Sequence, residues 1–352
     1  MLIPYLTNYS VEYLALRGEF VSIWCLVRAM LTSSFWRGRP VQSYVDAFIR
    51  TVSPRVILTY IDNDKVFYTI SNRFPNIKTV FLQNGSRSEV GDIFGSLVRS
   101  DQYRVDYMLV HGLAIGKHYT NFVSGSLVIA GSLRNNAVRR SFVSNSQSIL
   151  FISQFLEKPK HNEPLLTEPN GAKIYWNKFF TVEILLIPLL GKWCVENKKI
   201  FRICGRSVEK KGPEFEFYSE LLGGVKWEYI PKSITRSSYE LVDDAGIVVF
   251  VDSTLGYESI GRGKRAASFS ARGWSLNNDA TRFGWPSALP ETGPFWTNHV
   301  DENEVRRVLD YLAAVGDEDW ERTRRRFGSE LMEYDPENLR FRTLLTQLIP
   351  NK

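Results

Sequence analysis

The feature that most constrains this chain is the run Gly246-Ile247-Val248-Val249-Phe250-Val251, which stops at Asp252-Ser253-Thr254 and passes directly into a helical pattern. A β-branched run without polar alternation reads as a strand covered on both faces, the condition of a parallel sheet. Similar runs lie at 56–61, 79–82, 107–110 and 127–130 in the first half, and at 148–152, 200–204, 225–230 and 266–269 in the second. Most end in polar residues, and stretches of helical length separate many of them, as at 65–74 and 113–122. Strands alternating with such stretches are βαβ units.

The first fifty residues read as two helices, with Tyr13, Leu14, Leu16, Phe20, Ile23, Trp24 and Val27 toward one side and a polar break at 33–40. The segment 174–190 reads as a long buried helix ending near Pro188 and Gly191, and 302–315, 317–326 and 336–348 as closing helices. The stretch 134–148, rich in Asn, Ser and Arg, reads as a linker. At about 100–200 residues per domain, 352 residues fit two domains. The expected division is 1–140, 141–330 and a C-terminal helix at 331–352.

Two open α/β domains facing each other place ligands at the carboxyl ends of their strands. The helix start after Val251 offers unpaired N–H groups and the hydroxyls of Ser253 and Thr254, and Gly256 permits close approach, so this turn suits a phosphate. Glu258 can accept from a ribose diol. The same residues also describe an ordinary capped helix. Arg206 can pair with phosphate, and Ser153 and Gln154 stand at another strand end; each also fits a plain turn. In the first half, Gln83, Asn84 and Arg87 can present amides and a positive charge to an acceptor. Asp62, Asp64 and Asp92 are the carboxylates placed for proton transfer.

Other chemistries find less support. The net charge of +6 is diffuse and does not form a nucleic-acid stripe. Cys25, Cys194 and Cys204 are widely spaced and build no CxxC site. The four histidines form no HxH or HxxxH pair, and His111 reads as structural, so no metal and no resident cofactor are expected. Walker, Gly-x-Ser-x-Gly and Gly-x-Gly-x-x-Gly motifs are absent. The Arg322–Arg326 run reads as a solvated helix face. The expected location is the cytoplasm, with peripheral contact at the inner face of the membrane left open.

Three segments carry a family resemblance. Val105–Val110, the helix through Tyr119, and Val128–Asn136, which contains Gly131-Ser132-Leu133-Arg134-Asn135-Asn136, resemble the acceptor domain of the CDP-glycerol glycerophosphotransferase and capsule-transferase group. Ile247–Glu258 with Gly263-Lys264-Arg265 and Ala266–Phe269 is similar to that group's donor segment. The resemblance implies a GT-B-like α/β fold, with two Rossmann-like domains whose parallel sheets face a cleft and with helices at the C-terminus. It departs at Asn84, where polymerases of the group carry a histidine, and around Arg206, where a His-Pro pair is missing.

The function implied is a metal-independent glycosyltransferase. It moves a sugar from a nucleotide-activated donor, CMP-linked or another NDP-sugar, to a cell-surface polysaccharide or lipopolysaccharide acceptor. Ser153, Gln154, Arg206, Ser253, Thr254, Gly256 and Glu258 fall on the donor side. Gln83 and Arg87 fall on the acceptor side, with Asp62, Asp92 and Asn84 near the chemistry. The alternatives are a nucleotide-sugar epimerase or hydrolase of the same fold, a CDP-alditol phosphotransferase, and a non-catalytic sugar-nucleotide binder.

Overall fold

The computed structural model describes residues 2–14, 20–90, 92–141, 145–168, 171–233 and 237–350. Leu16 lies outside them. After a short helical turn at Ile3–Leu6, the first half carries helices α1 (Ile23–Met30) and α2 (Pro40–Val52) and builds a four-stranded parallel sheet. Its strands are β1 (Val56–Thr59), β2 (Lys78–Leu82), β3 (Arg104–Val110) and β4 (Ser124–Ile129), paired in sequence order. Helix α3 (Leu113–Thr120) crosses from β3 to β4. The expected helix at 65–74 divides into two short ones, Lys65–Tyr68 and Ile70–Arg73. The polar break at 33–40 holds a further helical turn, Ser33–Trp36.

The second half contains β5 (Asn145–Ile152), α4 (Thr181–Glu196), β6 (Ile200–Cys204), β7 (Trp227–Ile230) and β8 (Ala245–Phe250). There follow α5 (Thr254–Gly261), β9 (Ala266–Phe269), β10 (Thr292–Gly293) and β11 (Trp296–Thr297). The seven-stranded sheet has the order β10-β11-β9-β8-β5-β6-β7, parallel except for β10. The chain builds outward from β5 through β6 to β7, then returns to place β8 on the other side of β5. That reversal is a topological switch point, and the crevice it opens lies between the loops after β5 and β8.

Two expectations fail. Helix α4 does not end at Pro188 but continues to Glu196. Pro188 is on the exposed side of the helix, away from its buried face. The stretch 134–148 is not a bare linker: Leu133–Ala137 is helical, and Asn135 and Asn136 are buried. The last helix, α6 (Leu339–Leu348), returns to the first half, packing Phe341, Leu344 and Leu345 against Val80, Leu82 and Leu109. Asn136 holds this return, donating to Asn338 Oδ1 at 2.9 Å and accepting from Asp335 N–H at 3.0 Å.

Candidate functional site

A cleft of about 270 Å³ separates the two halves. The first half contributes Gln83, Ser86, Arg87, Ser88 and His111 to its wall; the second contributes Gln154, Asp252, Tyr257, Arg272 and Arg282. Gln154 follows β5 and Asp252 follows β8, so the wall includes both edges of the switch point. The Asp252 N–H donates to Gln154 Oε1 at 3.3 Å and closes the crevice floor.

The turn after β8 stands where the halves meet. Ser253 takes the N-cap position of α5, but its side chain makes no capping bond, so the first-turn N–H groups are not satisfied by it. Thr254 Oγ1 accepts from Ser86 N–H at 2.9 Å, across the boundary. Gly256 has another reason to be small: a Cβ there would lie 2.0 Å from Phe250 Cγ. Its bare Cα lets α5 pack on β8, and the close approach expected for a phosphate is taken by that ring.

Glu258, expected at a ribose, does not face the cleft. It is buried, accepts from Tyr239 Oη at 3.0 Å, and bonds Ser132 of the first half. Burial pushes its carboxyl up to about 7, opposed by the bonds from Ser132 and Tyr239. Ser153 is also buried, bonded to Glu214 and to Tyr218 Oη at 2.9 Å. Arg206 is exposed beside the cleft wall, its guanidinium 3.4 Å from the carbonyls of Gln154 and Phe155. Of the seven donor-side residues, only Gln154, Ser253 and Thr254 therefore gather at the switch point.

On the first half, Asp62 has no exposed surface. Its carboxylate accepts from Arg87 Nε at 2.7 Å, Tyr119 Oη at 2.5 Å and Asn84 N–H at 3.2 Å. With its lone pairs so occupied, it braces the 83–87 loop. Asp92 caps a short helical turn through Ile93 N–H at 2.7 Å. Asn84 is exposed and accepts from Arg87 at 3.2 Å. Gln83 is buried, its Oε1 accepting from the His111 N–H at 2.9 Å and its Nε2 donating to Gly85 O at 2.8 Å.

The roles of three residues in the wall are not marked in the sequence. Arg272 is buried and paired with both Glu183 and Asp252. Arg282 has a buried Nε without a partner, and among the described residues no carboxylate pairs with it. His111 places Nε2 3.2 Å from the Gln83 carbonyl, which can only accept, so Nε2 carries the proton. Burial lowers the ring's pKa to about 4, leaving it neutral near pH 7 with Nδ1 as a free acceptor. An Arg paired with carboxylates, an Arg that meets none and a buried His have the same local spacing in a sequence, so only tertiary contacts distinguish them.

Two facing α/β halves, a cleft at the strand ends and a helix returning to the first half define the GT-B fold. A glycosyltransferase from Rickettsia africae aligns over 100% of this chain and 88% of its own, with 11% identity and a TM-score of 0.50. A UDP-N-acetylglucosamine 2-epimerase aligns over 89% and 79%, with 11% identity and a TM-score of 0.50. At such identities the likeness is one of fold. No curated protein matches the chain significantly. A family model described as "putative O-antigen biosynthesis protein" matches residues 80–349, and the chain belongs to that family. It is a GT-B glycosyltransferase-like protein of surface carbohydrate synthesis.

Proposed function

We propose that the protein transfers a sugar from a nucleotide-activated donor, CMP-linked or another NDP-sugar, to a surface polysaccharide or lipopolysaccharide acceptor. The carrying observation is the uncapped start of α5 at the switch point of the second sheet, beside a cleft that also exposes Arg282. Donor phosphate sits against the N–H groups of Thr254 and Leu255 and the Ser253 hydroxyl, the Gly256 N–H being taken by the Ser253 carbonyl at 2.9 Å, with Thr254 fixing the turn. Arg282 supplies the positive charge, because Arg87 and Arg272 are already neutralised by Asp62 and by the Glu183–Asp252 pair. Donors fixed this way stabilise the departing nucleotide without reorganising.

The acceptor lies against the Gln83–Ser88 loop. The His111 ring stands beside that loop in the cleft wall, and burial keeps it neutral near pH 7. No step of this scheme calls on a metal. A fold shared with a UDP-N-acetylglucosamine 2-epimerase favours one rival, an epimerase or hydrolase acting without acceptor. Nucleotide release measured with and without a lipid-linked glycan acceptor separates them. Acceptor-dependent release supports transfer; release of free sugar or an epimer at an undiminished rate without acceptor overturns it.

A further inference from the structure

Helix α1 is amphipathic in the reverse of the usual sense. Its inner face buries the small residues Cys25 and Ala29 against Ala47 of α2. Its outer face carries the large apolar side chains Ile23, Trp24 and Val27, followed by Leu31 and Trp36, all exposed. Leu31 is 82% exposed and Trp36 72%. A contiguous apolar surface of this kind on a soluble fold marks a contact with something else.

The charges around it select the partner. From Phe20 to Val45 there is no Asp or Glu, whereas Arg28, Arg37 and Arg39 all fall within the segment. The Arg28 guanidinium stacks 5.3 Å from the centre of the Trp24 ring. The first acid beyond, Asp46, is paired with Arg73 at 2.8 Å. A two-fold contact with a second copy would set these arginines against their own images without a carboxylate to match them. An anionic bilayer meets both requirements, since it takes apolar side chains and tryptophans at the headgroup boundary and attracts arginine at its surface.

The patch is also placed to matter. Helix α2 joins β1 through three residues, 53–55, and its Arg50 lies 5.6 Å from the ring of Phe74, which precedes β2. The end of α2 thus stands at the amino edge of the first sheet. Its start at Pro40 is about 18 Å away, at a rise of 1.5 Å per residue, so α2, which packs Val45 and Ile49 on the core of that sheet, runs back toward the opposite edge. Ser33–Trp36 and Leu31 lie just before that start.

We propose that α1 and the turn Ser33–Trp36 form a docking surface for an anionic lipid bilayer. It brings the first half's side of the cleft to the membrane face. The consequence for a lipid-linked acceptor rests on the transfer reading above; the docking itself does not, and it is read without turnover.

Vesicle flotation tests it with the full chain. Vesicles of phosphatidylethanolamine with phosphatidylglycerol carry the protein to the top of the gradient, vesicles of phosphatidylcholine alone do not, and added salt releases it. Trp24→Ser with Leu31→Ser weakens partitioning about tenfold. Arg37→Gln with Arg39→Gln weakens it on anionic vesicles by about fivefold per arginine. Leu31→Ser alone, at a largely exposed site, shows a smaller loss with unchanged thermal unfolding. Failure of the wild-type chain to float with anionic vesicles overturns the proposal, as does flotation that the double variants leave unaltered. A wild-type dimer that Trp24→Ser with Leu31→Ser converts to monomer in light scattering also overturns it, assigning the patch to a second copy.

Discussion

The N–H of Ser86, in the loop after β2, donates to Thr254 Oγ1, in the first turn of α5, at 2.9 Å. This contact joins the two halves at the mouth of the cleft and fixes the turn assigned to donor phosphate. Thr254→Val keeps the side-chain shape and removes the acceptor, leaving a half-buried N–H unpaired. Its expected cost is about 1 kcal/mol of stability. Thermal unfolding should fall by a few degrees, and the stabilisation by added nucleotide should shrink with it. An unchanged melting curve and an unchanged nucleotide response would show that the contact has no such role.

Arg282 is the cleft cation with no carboxylate beside it among the described residues. Arg282→Ala should weaken nucleotide binding by roughly 10- to 100-fold, the scale of a charge-assisted hydrogen bond to phosphate, while leaving stability nearly unchanged. Arg272→Ala behaves differently. It strands the buried Glu183, whose carboxyl burial already pushes up to about 7, and should unfold the domain at lower temperature by several kcal/mol. Comparing binding with unfolding for the two variants checks the division of labour.

Gly256→Ala places a methyl group into the Phe250 ring. The expected destabilisation is about 1–3 kcal/mol, and Phe250→Leu in the same chain should return part of it by making room. If Gly256 instead served phosphate approach, Phe250→Leu would rescue neither binding nor stability.

Glu258 and Glu183 give the protein a defined pH response. Burial raises both carboxyls from 4.5 to about 7 in the folded chain. Between those values the folded state holds protons the unfolded state has lost, so stability falls as pH rises through that window and is highest toward its acid end. Each group contributes about 1–3 kcal/mol to the change. Glu258→Gln should flatten its share, so that the variant gains on the wild type at about pH 8. Chemical denaturation across that range measures it, and a slope of the opposite sign refutes the assignment.

The sheets were legible because burial on both faces leaves a mark in the residues themselves: Ile247–Phe250, Val80–Leu82 and Ile149–Ile152 all form strands where their runs stand. The switch-point turn after β8 was legible for the same reason, since a strand that stops at Asp-Ser-Thr has few places to go. What each polar residue does there was not. Asp62 and Glu258 were read as cleft groups, but Arg87 and Tyr119, or Tyr239 and Ser132, reach them from distant segments and enclose them. Arg282 is not marked in the sequence, because an arginine that donates only to a carbonyl, here that of Ser287, is distinguished by the carboxylates that fail to arrive. The sequence placed Ile23, Trp24 and Val27 on one side of α1 but not whether that side is covered, because periodicity reports that a helix has an apolar side and not which neighbour meets it.

The most direct test of the account is calorimetric titration of the full chain with CMP, CDP, UDP and GDP, repeated on Ser253→Ala and Arg282→Ala. A nucleotide, cytidine-based first, should bind the wild-type protein and bind each variant at least about tenfold more weakly while both remain folded. Absence of heat with every nucleotide, or equal affinity in all three proteins, would contradict the claim that the start of α5 and Arg282 hold an activated donor.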